Sequence, residues 1–181
     1  MNSVDLKIQE QTINWIKSVV IDCNFCPFAA KAILKKSIRY IIKSNVTIDE
    51  SLEALKQELN YLETDIETET SFIIFENNFS DFDNYLDLVK QAEQLLSKED
   101  FDGIYQIASF HPDYCFQGSD NDDAANYTNR SIYPMLHILR EESITKALKL
   151  FPNPELIPQH NIDFARQKGL RYMELLRATC I

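Results

Sequence analysis

Short runs of strand-forming residues alternate along this chain with longer stretches of helical period. That alternation restricts the fold more than any other feature of the sequence. Ile38 to Lys43 is dominated by Ile and Tyr, Phe72-Ile73-Ile74-Phe75 is apolar at four consecutive positions, and Gly103 to Phe110 is a third run of the same kind. An apolar run on both faces suits a central buried strand. Between the first two runs, Thr47-Ile48-Asp49-Glu50 has the form of a capping box, and Leu52, Leu55, Leu59 and Leu62 form one stripe behind it. Between the second and third, Ser80-Asp81 opens a stretch in which Tyr85, Leu88, Ala92 and Leu95 share a face. Strands separated by helices of this length predict βαβ units and an at least partly parallel sheet.

The flanking segments read as helices. Ile13, Ile16 and Val20 recur at helical spacing within 4–21, and Pro27 suits the first turn of a second helix reaching Lys36. Two more helices are predicted over about 131–149 and 159–178. The expected fold is α/β: one domain over 1–181, with a small sheet of about three strands and extra helices at both ends.

Composition then removes whole classes of function. Of 181 residues only three are glycine, Gly103, Gly118 and Gly169, so neither G-x-G-x-x-G nor G-x-x-x-x-G-K-[ST] can be written. No G-x-S-x-G elbow is present either, and His160 reads as a capping or surface histidine. The net charge is −10, distributed as +4 over 1–46, −13 over 47–103 and −1 over 104–181. An acidic chain argues against a nucleic-acid partner. The acidic middle reads as two solvated helix faces. No segment has the length and apolarity of a membrane span, and the first apolar stretch carries Asp5, Lys7, Glu10 and Lys17, unlike a secretion signal. The expectation is a cytoplasmic protein with reduced thiols, no membrane partner and no cofactor; oligomeric state is left open.

Chemistry concentrates after the third strand. Ligands of open α/β sheets bind beyond the carboxyl ends of the strands, and His111-Pro112-Asp113-Tyr114 stands there. A long polar stretch follows, with Asp120, Asp122, Asp123, Asn126, Asn129 and Arg130. Read as a helix from Asp122, this stretch would place Asp123, Asn126 and Arg130 on one face. The next would place Tyr133, His137 and Arg140 on another, offering hydrogen bonds and positive charge to an anion. Self-made turns from the Asx side chains, or solvated helix faces, account for the same residues.

Cys26-Pro27 would set a sulfur at a helix N-terminus, where the backbone N–H groups favour thiolate; a small buried cysteine is the plainer reading. Cys23, Cys26, His111 and Cys115 contain possible zinc ligands, but only the Cys23–Cys26 half has a common zinc spacing. The run from Asp120 fails the EF-hand template, because Ala124 and Ala125 stand where an Asx residue and glycine are needed. A magnesium held by Asp122 or Asp123 beside a phosphate substrate is the remaining metal possibility.

Four segments carry a family resemblance. They are Asn24-Phe25-Cys26-Pro27-Phe28-Ala29; His111-Pro112-Asp113-Tyr114-x-Phe116; the long run from Asp122 to Glu141; and Ile157-Pro158 with Asn161-Ile162. Together they resemble the bacterial Domain of Unknown Function 1415 family over nearly the whole chain. The resemblance implies a single-domain bacterial protein and carries no activity with it. Cys23 and Cys115 fall where the family pattern has other residues, which weakens the zinc and dithiol readings.

Three functional expectations follow. In the first, the protein is an enzyme acting on a small anionic metabolite. Cys26 is its nucleophile, His111 the acid or base and Asp113 the group orienting His111. Asp122, Asp123, Asn126, Tyr127 and Arg130 bind substrate, with His137 or Arg140 assisting. In the second, the 111–130 loop belongs to a non-enzymatic module that binds a small ligand or a partner. In the third, the motif residues form a packing network.

Overall fold

The computed structural model describes residues 2–149 and 151–181. Met1 and Leu150, part of the expected 1–181 domain, lie outside the described residues. The fold is α/β, with helices on both faces of a four-stranded mixed sheet. The strands are β1 (Ile38–Lys43), β2 (Thr70–Phe75), β3 (Tyr105–Phe110) and β4 (Met135–Arg140), in the order β1-β2-β4-β3. β1 and β2 are parallel, while β4 runs antiparallel to both of its neighbours. β1, β2 and β3 therefore end at one edge of the sheet, and the chain from 111 to 134 spans that edge before β4 returns.

The expected elements between the first three strands form where the sequence puts them. α3 (Ile48–Thr64) begins with the Thr47–Glu50 capping box closed in both directions, and α4 (Phe82–Lys98) begins with Asp81 accepting from the Asn84 N–H. Every residue of β2 is buried. Its side chains alternate as strand geometry requires. Ile73 and Phe75 pack with Leu55, Leu59, Leu88 and Ala92 of α3 and α4. Phe72 and Ile74 pack with Trp15, Ile16 and Val19 on the opposite face.

That second face is covered by α1 (Ser3–Trp15), a π-helical turn (Ile16–Ile21), α2 (Ala29–Lys35), α6 (Ile157–Lys168) and α7 (Leu170–Ala178). Among the described residues, no helix is long and apolar enough to cross a membrane.

Three expectations need correction. The helix expected over 131–149 is β4 followed by the short α5 (Glu141–Leu148). Met-Leu-His-Ile-Leu-Arg has residues that suit a helix, but insertion between β2 and β3 satisfies its backbone from both sides, and tertiary context decides. The sheet thereby gains a fourth strand. From Asp122 the chain forms only a short 3-10 helix (Ala124–Thr128). Finally, the last helix is broken at Gly169, whose φ of 83° and ψ of 157° belong to a region open essentially to glycine alone.

Candidate functional site

The chain beyond β3 is held by a dense polar network that consumes most of the residues expected to act on a ligand. His111 is fully buried. Its Nδ1 accepts the Asp113 backbone N–H at 2.9 Å, so Nε2 carries the proton donated to the Phe79 carbonyl at 2.7 Å. Its ring lies against Phe82 and Tyr85 of α4, and burial pushes its pKa down. The Asp113 side chain is exposed, and its link to His111 runs through its backbone.

Asn126, also fully buried, accepts from the Phe116 N–H at 3.1 Å and donates to the Asp120 carbonyl at 2.8 Å. Arg130 donates to the carbonyls of Tyr114 and Asn121 at 2.9 and 2.7 Å, with its guanidinium over the ring of buried Tyr127. Asp123 accepts from the Ala125 N–H and forms a two-pronged ion pair with Arg166 of α6, at 3.1 and 2.6 Å, which holds its carboxyl well below the usual range. Asp122 is exposed.

His137 and Arg140 stand on β4, not on a helix, and three residues apart on a strand they face opposite sides. The ring of His137 stacks on Phe72 with centroids 3.9 Å apart. Thr70 donates its hydroxyl to the Ile138 carbonyl and so accepts from His137 Nε2 at 2.7 Å. Burial pushes the His137 pKa down to about 3. On the other side, Arg140 donates to the carbonyls of Leu62, Asp65 and Thr68 at the end of α3 and to the Tyr105 hydroxyl.

Cys26 is the expected residue that lies in a different setting. The N–H groups of Phe28 and Ala29 point at its sulfur as α2 begins, and they lower its pKa. Burial outweighs them, so the thiol is pushed up instead of down. It does not meet His111. Successive residues of extended chain point to opposite faces: Phe110 turns toward Trp15 and the Cys26 side of the sheet, and His111 toward α4. All four cysteines are free. Among the described residues, no group of three or more His, Cys, Asp or Glu is placed to hold a metal ion.

Around Cys26 lies a cavity of about 310 Å³. Val20, Phe25, Phe110, Phe116, Pro158 and Ile162 form its apolar wall, and Thr128, Asn129 and Asn161 supply polar groups. A second hollow of about 220 Å³ adjoins it across Asn161, with Asn24, Pro27, Phe151, Asn153 and His160 in its lining. The π-helical turn helps to shape the first hollow, because the Val20 carbonyl accepts from both the Phe25 and the Cys26 N–H groups. Across the opening, Asn161 on the first turns of α6 donates to the Phe25 carbonyl at 2.8 Å.

All four segments carrying the family resemblance reach this one cavity: Phe25 and Cys26 from the first, Phe116 from the second, Thr128 and Asn129 from the third, Pro158, Asn161 and Ile162 from the fourth. Sequence reasoning passed over Thr128, Asn129 and Asn161 as ligand contacts and read His160 as a capping or surface histidine; it is exposed, at the rim of the second hollow. The available signal was their position inside or beside those segments, not their chemistry, since Asn and Thr side chains serve turns and caps equally well.

Searches of curated proteins and of solved structures find no match. The model of one family, described as "Protein of unknown function (DUF1415)", matches residues 7–174 of the 181. The chain that folds its four signature segments around one cavity therefore belongs to the DUF1415 family.

Proposed function

We propose that this protein is a small-molecule-binding module whose site is the cavity beside Cys26. The observation that carries the reading is convergence. Four segments, widely separated in sequence, line one apolar hollow at the carboxyl end of β3, and a few polar groups point to it from fixed positions. Apolar concavities with a small number of placed polar groups are the common form of ligand sites. Phe116, Thr128 and Asn129 bring the 111–130 loop into the cavity lining, which supports this reading.

The enzymatic reading draws less support. His111 has both ring nitrogens engaged by backbone groups and faces α4. The Cys26 thiol is pushed up by burial, which disfavours the thiolate a nucleophile needs. An anionic ligand is also less well supported than a neutral one, because Arg130 and Arg140 are bonded to backbone carbonyls outside the cavity. The net charge of −10 supports a role without nucleic acid, and four free thiols support a reducing compartment such as the cytoplasm.

The test is a screen of soluble fragments against the isotope-labelled native chain by proton–nitrogen NMR. Saturable shifts are expected at Cys26, Thr128, Asn129 and Ile162, together with slower reaction of the Cys26 thiol. Binders that map elsewhere, or the absence of any saturable binder, would overturn the reading.

A further inference from the structure

Resting on the cavity as a ligand site, we infer that its ligand is an uncharged, flat heteroaromatic ring carrying an adjacent donor and acceptor on its edge. Nucleobases and ring carboxamides share that chemistry. Three features of the cavity select it.

The first is charge. Among the described residues, the lining of both hollows contains no Asp, Glu, Lys or Arg, although a quarter of the chain consists of those four residues. An ion placed in the Cys26 hollow would lose its hydration without gaining a counter-charge. The body of the ligand is therefore neutral.

The second is shape. Phe25, Phe110 and Phe116 bring aromatic rings to the hollow from three different parts of the chain. Ring faces and edges favour a flat partner in stacked or edge-on contact.

The third is the state of the two amides. Asn129 donates one N–H to the Ser109 carbonyl at 3.1 Å, and its Oδ1 lies 3.1 Å from the Thr128 hydroxyl, whose single hydrogen it shares with the Ala125 carbonyl at 2.9 Å. Asn161 donates one N–H to the Phe25 carbonyl at 2.8 Å. Each amide is thus held by a backbone carbonyl that fixes its flip. Among the hydrogen bonds of the described residues, each retains a second N–H, and the Asn161 Oδ1 has no protein partner. The Asn161 amide, with one hydrogen tied down and its other groups free, is a prepositioned donor–acceptor pair, the complement of an amide-like edge on a ring, and Asn129 adds a second donor. The second hollow, with Asn24, Asn153 and His160, would receive a polar substituent of that ring.

The experiment titrates the labelled native chain with nicotinamide, nicotinate and 3-methylpyridine, and separately with 9-methyladenine and 9-methylpurine, following the amides of Cys26, Thr128, Asn129 and Ile162. Nicotinamide or 9-methyladenine is expected to saturate these shifts. Its counterpart lacking the edge donor (3-methylpyridine or 9-methylpurine) is expected to bind about tenfold more weakly or worse, and nicotinate not to bind there. Whichever of the two series binds identifies the source of the edge.

Equal binding of a ring and its counterpart without the donor would overturn the inference and leave the cavity standing as a site for apolar molecules. Preferred binding of nicotinate would overturn it in favour of an anion. If none of the five probes reaches the cavity the inference fails, and the fragment screen decides separately whether the cavity binds anything.

Discussion

The side-chain amide of Asn161 donates to the backbone carbonyl of Phe25 across 136 positions of sequence, at 2.8 Å. This bond ties the beginning of α6 to the turn that carries Cys26, and it closes the wall shared by the two hollows. Replacing Asn161 by Ala leaves the Phe25 carbonyl without that partner. A loss of about 1–2 kcal/mol is expected, read as a lower urea midpoint. Cys26 should react faster with a thiol reagent in this variant, because the tether beside it is gone. An unchanged labelling rate would show that the tether does not control access.

Arg140 is expected to be a structural residue of the α3 terminus. Its guanidinium collects the carbonyls of Leu62, Asp65 and Thr68. Arg140→Met strands these groups and should cost about 3 kcal/mol in equilibrium unfolding. Arg140→Lys should recover only part of the loss, since an ammonium cannot reproduce the planar fork. Cavity binding should be unaffected in either variant that folds, because Arg140 faces the α3 side of the sheet.

His111, buried, and His137, partly buried, give the stability a definite pH slope. His137 has its pKa pushed down to about 3 in the fold by burial, and His111 is shifted in the same direction. Both take up protons near pH 6.5 once unfolded. Below that pH the unfolded chain binds more protons than the native one, so stability rises with pH and is lost on acidification. The His137 contribution is complete above about pH 6.5. It falls by about 1.4 kcal/mol per pH unit below that and levels off near the folded pKa of about 3. His137→Phe keeps the stack on Phe72 and removes the titration. The difference between its urea midpoint and that of the parent chain should therefore shift in the variant's favour as pH falls from 7 to 4. Parallel pH dependences for the two chains would show that His137 is not the group responsible.

Asp123 and Arg166 join the 3-10 helix to α6, but the two residues do unequal work. Asp123 also caps the helix through the Ala125 N–H, whereas Arg166 is well exposed. Asp123→Ala is expected to cost about 1 kcal/mol from the lost cap. Arg166→Ala should lower the thermal midpoint by less, and its effect should shrink in high salt while that of Asp123→Ala persists. Equal, salt-sensitive losses would show that the ion pair carries the whole effect.

Much of the scaffold was legible from local chemistry. The Ile38–Lys43 strand, the Thr47–Glu50 capping box, the Asp81 cap and the buried run from Phe72 to Phe75 all occur as the sequence indicates. Each depends on neighbours a few residues away, which periodicity and capping chemistry report directly. β4 was not legible, because Met135 to Arg140 has no strong preference until β2 and β3 offer hydrogen bonds from both sides.

For the site, the sequence by itself determined where chemistry gathers: the Cys26 turn, the stretch after β3, and the segments resembling one family. It could not say which of those side chains remain available. Asn126 and Asn129 are the same residue type three positions apart, yet Asn126 is spent inside the loop and Asn129 reaches the cavity. Likewise Phe110 and His111 are adjacent in sequence and separated by the sheet. The tertiary structure decided both, because the direction of a strand residue and the satisfaction of a buried polar group depend on what the rest of the fold places against it.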